Sequence, residues 1–160
     1  MTAANFNACL AAVLNEEKPS DDPPCRLGVT RDAWQTWVGV NRVVTAADIL
    51  ALTVADVTPL YRVFWRGCGA DYLPDGVDLV TLDWCINSGV RDGNKGLQKA
   101  LGVSVDGLVG PETLNAATNG DHAAVIGKVS ELRADLYRGQ GYWLDRIGHI
   151  HAAAHDMIAG

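Results

Sequence analysis

The chain has no surplus of positive charge: 13 Lys and Arg stand against 19 Asp and Glu, giving a formal net charge of -6 over 160 residues. Nucleic-acid binding normally leaves a basic footprint, so no nucleic acid is expected as a partner. Nor is there a long apolar run. The opening stretch MTAANFNACLAAVLNEE lacks a basic leading segment and breaks its apolar residues too soon for a signal core or a membrane span, so neither a signal peptide nor membrane insertion is expected.

Metal-ligand spacing is missing too. Cys9, Cys25, Cys68 and Cys85 form no CxxC pair, which argues against a zinc site. Cys9 and Cys85 sit among apolar neighbours and read as small core groups, whereas Cys25 and Cys68 fall in loop-like stretches that could approach each other. His149, His151 and His155 lie on the last helix candidate, and the pair at 151 and 155 has i, i+4 spacing. Without an HExxH pattern or a third ligand they read as a solvated face, and no metal or cofactor is expected.

What is present suffices for a folded domain. The composition is 48% hydrophobic and 20% charged, with no low-complexity tract, repeat or linker, so one domain covering residues 1–160 is expected. The patterning is mainly α. Phe6, Cys9, Leu10, Val13 and Leu14 recur at spacings of three and four, which predicts a helix over residues 4–17 ended by Lys18-Pro19. Residues 20–30, rich in Pro and Asp, predict an irregular segment or a short hairpin. Thr30, Thr45 and Thr53 are each placed to cap a helix. LPDGVDLVTLDWCINSG is apolar all round and predicts a buried central helix. NKGLQKALG predicts a short helix, SVDGLVG a turn, GPETLNAAT a helix opened by Pro111, and residues 122–140 and 141–158 two closing helices.

Chemistry enters at the end of the first helix. On a helical wheel Glu17 falls within the apolar stripe and Glu16 at its edge. A carboxyl turned toward the core at the negative end of a helix is disposed to keep its proton, as a general acid must, although a solvated helix end with Lys18 as partner is the plainer reading. Glycoside hydrolysis needs a second carboxylate across the bond, and Asp21 and Asp22 are candidates, though Asp before Pro is also ordinary turn chemistry.

Taken in order, NFNACLAAVLNEE, DPPCRLGVT, LYRVFW, LPDGVDLVTLDWCINSG and LQKALGVSVDGLVGPETLNA resemble the glycoside hydrolase family 108 muramidases with their peptidoglycan-binding type 3 segment. The resemblance covers nearly the whole chain. It implies a lysozyme-like fold with a small hairpin or loop as one lip of the cleft, a catalytic part over residues 1–75 and a helical part over residues 76–160 resembling the type 3 segment. It implies an endolysin of phages and prophages that cuts the β-1,4 bond between N-acetylmuramic acid and N-acetylglucosamine.

By the same resemblance Glu17 matches the catalytic glutamate, Asp22-Pro23 the family's Asp-Pro, and Cys25-Arg26-Leu27-Gly28-Val29-Thr30 its Thr-Asn-x-Gly-Ile-Thr. Glu17 and Asp22 are therefore the catalytic candidates, and Cys25 and Thr30 line the substrate side. Cys25 replaces a Thr that helps hold the attacking water, Lys18-Pro19 stands where Gly-Gly is usual, and the loop is several residues shorter. Trp65, one turn from Tyr61, is a candidate for stacking on sugar or for the core, and Asn87 for a directional contact to sugar or for a helix end.

The implied partner is bacterial peptidoglycan, reached from the host cytoplasm through a holin or similar route to the periplasm. A lytic transglycosylase and a degenerate wall-binding or virion-associated protein are the alternatives. An acidic protein cannot rely on long-range attraction to an anionic wall, so contacts in the cleft must supply the binding.

Overall fold

The computed structural model describes residues 3–160. Helix α1 (Ala3–Glu16) buries Phe6, Cys9, Leu10 and Val13, the stripe that its spacing predicts. It stops one residue short of Glu17, whose N–H still donates to the Leu14 carbonyl at 3.2 Å. The Pro-rich segment then folds into three short antiparallel strands, β1 (Ser20–Asp21), β2 (Pro24–Arg26) and β3 (Val29–Thr30), in the order β1-β2-β3.

Three threonine caps start the next helices. Thr30 Oγ1 accepts from the Ala33 N–H at the start of α2 (Arg31–Val38). Thr45 and Thr53 form capping boxes with Asp48 and Asp56 at α3 (Ala46–Leu50) and α4 (Val54–Gly67). Each box satisfies two N–H groups that the first turn would otherwise leave open.

Helix α5 (Val77–Ser88) runs through the middle of the molecule, with every residue from Val77 to Cys85 buried. It packs against α1, α4, α6 (Val90–Leu101), α8 (His122–Leu136) and α9 (Gly141–Ala159). α6 begins four residues earlier than NKGLQKALG predicts, separated from α5 by Gly89 alone, whose φ of 89° suits glycine. Gly93 and Gly96 bring α6 close: a Cβ on Gly96 would lie 2.3 Å from the Trp84 ring, and one on Gly93 2.4 Å from Cys85 Sγ. The SVDGLVG turn before α7 (Pro111–Asn119) is built around buried Gln98, which donates to Asp106 Oδ1 and the Leu108 carbonyl and accepts from the Gly107 N–H. That loop is shaped from inside.

Two carboxylates interrupt the apolar surface of α5. Asp78, 1% exposed, accepts from Asn5 Nδ2 at 2.5 Å and from the Leu79 N–H at 2.7 Å. Burial pushes its pKa up from 3.8 to about 6, more than these hydrogen bonds bring it down. A folded-state value above the unfolded one means that folding favours the protonated acid. Its contribution is therefore fully present below pH ~4 and lost as pH rises through 6, a change on the order of 3 kcal/mol. Asp78→Asn is expected to flatten the fall in Tm between pH 4 and pH 7. An unchanged Tm profile in that variant would remove Asp78 as its source.

Candidate active site

Glu17 lies where α1, the hairpin and α9 meet. The β2–β3 turn is Leu27-Gly28, both with positive φ (51° and 73°), the requirement of a two-residue turn whose twist suits a hairpin. Gly28 is required twice over. A Cβ there would come 2.5 Å from Tyr61 Oη and 2.8 Å from Glu17 Cδ, so the turn rests directly on the glutamate. Tyr61 Oη donates to the Leu27 carbonyl at 2.8 Å. Burial, then the negative charge of Glu17, pushes the Tyr61 phenol up, so it stays a donor and keeps the turn in place.

Strand register sets Ser20, Cys25 and Thr30 side by side on one face of the small sheet. Burial first, and then the charge of Glu17, pushes the Cys25 thiol up. The residue is therefore a neutral thiol within reach of the glutamate and not a thiolate nucleophile. All four cysteines are free; Cys68 is buried at the end of α4, donating to the Trp65 carbonyl, and makes no disulfide with Cys25.

Helix α9 holds the other side. Tyr142, Arg146 and His149, at i, i+4 and i+7, form one face against the end of α1. Tyr142 Oη donates to the Glu16 carbonyl at 3.2 Å, and His149 Nδ1 lies 3.1 Å from Glu16 Oε2. Lys18 Nζ sits 5.0 Å above the Tyr142 ring, so Lys18 turns to an aromatic partner. Arg146 Nη2 meets Glu17 Oε1 at 2.8 Å and Asp83 Oδ1 at 2.6 Å. Arg133 Nη1 bonds the other oxygen of Asp83.

These charges lie deep: Arg146 and Asp83 side chains are 1% and 0% exposed, while Glu17 retains 14%. Burial alone would lower the Arg146 pKa, but hydrogen bonds and charge from Asp83 and Glu17 reverse this and push it up. Glu17 thus faces the core side as the wheel predicts, but it meets a guanidinium there and not an apolar wall. Periodicity missed Arg146, Asp83 and Arg133. The signal was a lone aspartate in the middle of LVTLDWCIN, because a buried carboxylate needs a cation or a full set of donors.

The remaining predicted residues divide. Asp22 is exposed in the β1–β2 turn, where the Asp22–Pro23 bond is cis, and lines a shallow cavity with Thr30, Arg31 and Asp32. Glu17 does not line that cavity. Thr30 spends its hydroxyl on capping α2. Asn87, half-buried, donates its amide to the Asp83 carbonyl at 2.6 Å within α5.

Trp65 is a correction. It is 1% exposed, meets Phe6 edge to face at 5.3 Å and donates Nε1 to Asp71, so its faces cannot stack on a sugar. Its partner at i−4, Tyr61, is buried as well, since aromatics at that spacing make an inward stripe. The partly exposed aromatics lie next to Arg146 instead: Tyr137 and Trp143 stack at 4.9 Å, Tyr142 meets Trp143 edge-on at 5.3 Å, and the Arg146 guanidinium lies 6.0 Å from the Trp143 ring. Among the described residues no group of three or more His, Cys, Asp or Glu could hold a metal ion, and no helix is long and apolar enough to cross a membrane.

A solved structure titled "Structure of Brucella abortus SagA" matches with a TM-score of 0.82 and 29% sequence identity, covering 98% of this chain and 97% of that one. No curated protein sequence matches. The family model described as Glycosyl hydrolase 108 matches residues 16–89, which begins at the glutamate pair, takes in the hairpin and α4, and ends as α5 ends. The match stops at residue 89 and does not show the type 3 peptidoglycan-binding segment that the resemblance implies for residues 76–160. The match of residues 16–89 to the Glycosyl hydrolase 108 model supports a glycoside-hydrolase activity of the peptidoglycan-hydrolase type.

Proposed function

We propose that the protein is a muramidase that hydrolyses the β-1,4 bond between N-acetylmuramic acid and N-acetylglucosamine, with Glu17 as the general acid. The observation that carries this reading is the placement of Glu17, partly open, between the hairpin turn at Gly28 and the Arg146–Asp83 network, within the residues that match the family model. Glu17, in its protonated form, gives its proton to the glycosidic oxygen as the C1–O bond breaks and is left as the carboxylate that Arg146 pairs with. Water adds to C1 and loses its proton to Asp22, so one water is consumed and a new reducing end forms. Cys25, on the sheet face near Glu17, borders the path of that water. In the lytic setting that the family resemblance implies, the enzyme is an endolysin that a holin or similar route admits to the periplasm.

The exposed position of Asp22 favours a second reading. A lytic transglycosylase needs one acid and no water, and leaves an anhydro end. Mass spectrometry of fragments released from Gram-negative peptidoglycan separates the two: reducing ends support hydrolysis, and anhydro ends overturn it.

Cys25 offers a finer test. Threonine there supplies a hydroxyl that donates and accepts where the thiol does both poorly. Cys25→Thr is expected to raise kcat by about fivefold, the worth of one hydrogen bond of about 1 kcal/mol. A kcat equal to or below that of the wild type would place this side chain away from the reacting water.

A further inference from the structure

A groove of ≈ 440 Å³ runs between α6 and α8, with Trp84 of α5 as its floor. Asp92, Lys95, Gly96 and Lys99 line it at i, i+3, i+4 and i+7, one stripe of α6, and Asp135 lines it from α8. The absence of a side chain at Gly96 is what lets the Trp84 ring reach the floor. Lys95, Lys99 and Asp92 enter no ion pair among the described residues, while Asp135 pairs with Arg138 on the outer surface. In a chain of net charge -6, two lysines without a carboxylate partner in one groove are a local exception.

The groove's Ser88 edge approaches the aromatic pair next to Arg146. Trp84 directly follows Asp83, which holds Arg146. Ser88, at the groove's edge, lies 3.5 Å from Tyr137 Oη, and Tyr137 stacks on Trp143 near Arg146, the partner of Glu17.

We propose that the α6–α8 groove is a subsite for the peptide stem that peptidoglycan carries on its N-acetylmuramic acid. This rests on the reading of the protein as a peptidoglycan hydrolase. Such a stem bears free carboxylates and the amine of a diamino acid on aliphatic side chains. Lys95 and Lys99 match the carboxylates, Asp92 the amine, and Leu132 and Leu136 the aliphatic part. Bare sugar offers no charge for the lysine pair to meet.

The test compares wild type with Lys95→Gln/Lys99→Gln on glycan strands with their stems and on strands stripped of them by an amidase. Removing the two cations is expected to raise KM on stem-bearing strands by about five- to tenfold and to leave kcat and Tm unchanged. Cleavage of stripped strands should stay within about twofold of wild type, since uniform binding to the stem is all that is lost. Free stem peptide should inhibit the wild type competitively and the variant far less, and Lys95→Arg/Lys99→Arg should behave as wild type. An unchanged KM on stem-bearing strands, equal losses on both substrates, or equal inhibition of both proteins by free stem overturns the subsite. Failure of the hydrolase reading looks different: Glu17→Gln would then release as much from either substrate as wild type.

Discussion

Glu17→Gln is expected to lower the release of soluble fragments from purified Gram-negative peptidoglycan by at least about 100-fold, the ordinary contribution of a positioned general acid. Glutamine keeps the shape of the side chain and a carbonyl oxygen for the Arg146 contact at 2.8 Å, so the hairpin turn above it has no reason to move. The glutamate retains 14% exposure and is not the innermost charge, so Tm should shift little. The neighbouring Glu16 is the control. It engages His149 and lies outside the Arg146 contact, and Glu16→Gln should keep nearly full activity. Equal release by wild type and Glu17→Gln would sink the mechanism, and a loss confined to Glu16→Gln would move the acid by one residue.

The contrast between those two glutamates shows how much of the site a single sequence carries. The 3.6-residue period of α1 separates Glu17 from Glu16 because it is local. The capping boxes at Thr45 and Thr53 are local too, each closed by an aspartate three residues on, and the all-round apolarity of α5 is enough to bury it. Periodicity does not say what waits on the buried side. Arg146 is 129 positions from Glu17 by their numbers, and only the packing of α9 on the end of α1 brings them together. The hairpin was legible as a possibility and not in detail, since Leu27 is not a residue that announces a positive φ. By spacing, Trp65 suits the core somewhat better than sugar. Its burial follows from the opposing Phe6 of α1, a partner from another helix.

Arg146→Met is expected to cost about 3–5 kcal/mol, because it leaves Asp83 buried with one cation instead of two. For a chain of 160 residues this corresponds to a fall in Tm of about 6–20 °C. Asp83→Asn should cost less together with Arg146→Met than the two changes cost separately, since each removes the reason for the other's penalty. Strict additivity would mean that the two side chains stabilise the fold independently. Activity provides a separate measure of the same residue. Below its Tm, Arg146→Met should still lose much of its turnover, because Glu17 no longer has a fixed partner at 2.8 Å. If Arg146 acts on catalysis only by holding that carboxyl, then in the Glu17→Gln background its removal should change the residual rate by less than about twofold, while the cost in Tm remains. A further large loss of rate in that background would show that the guanidinium touches the substrate itself.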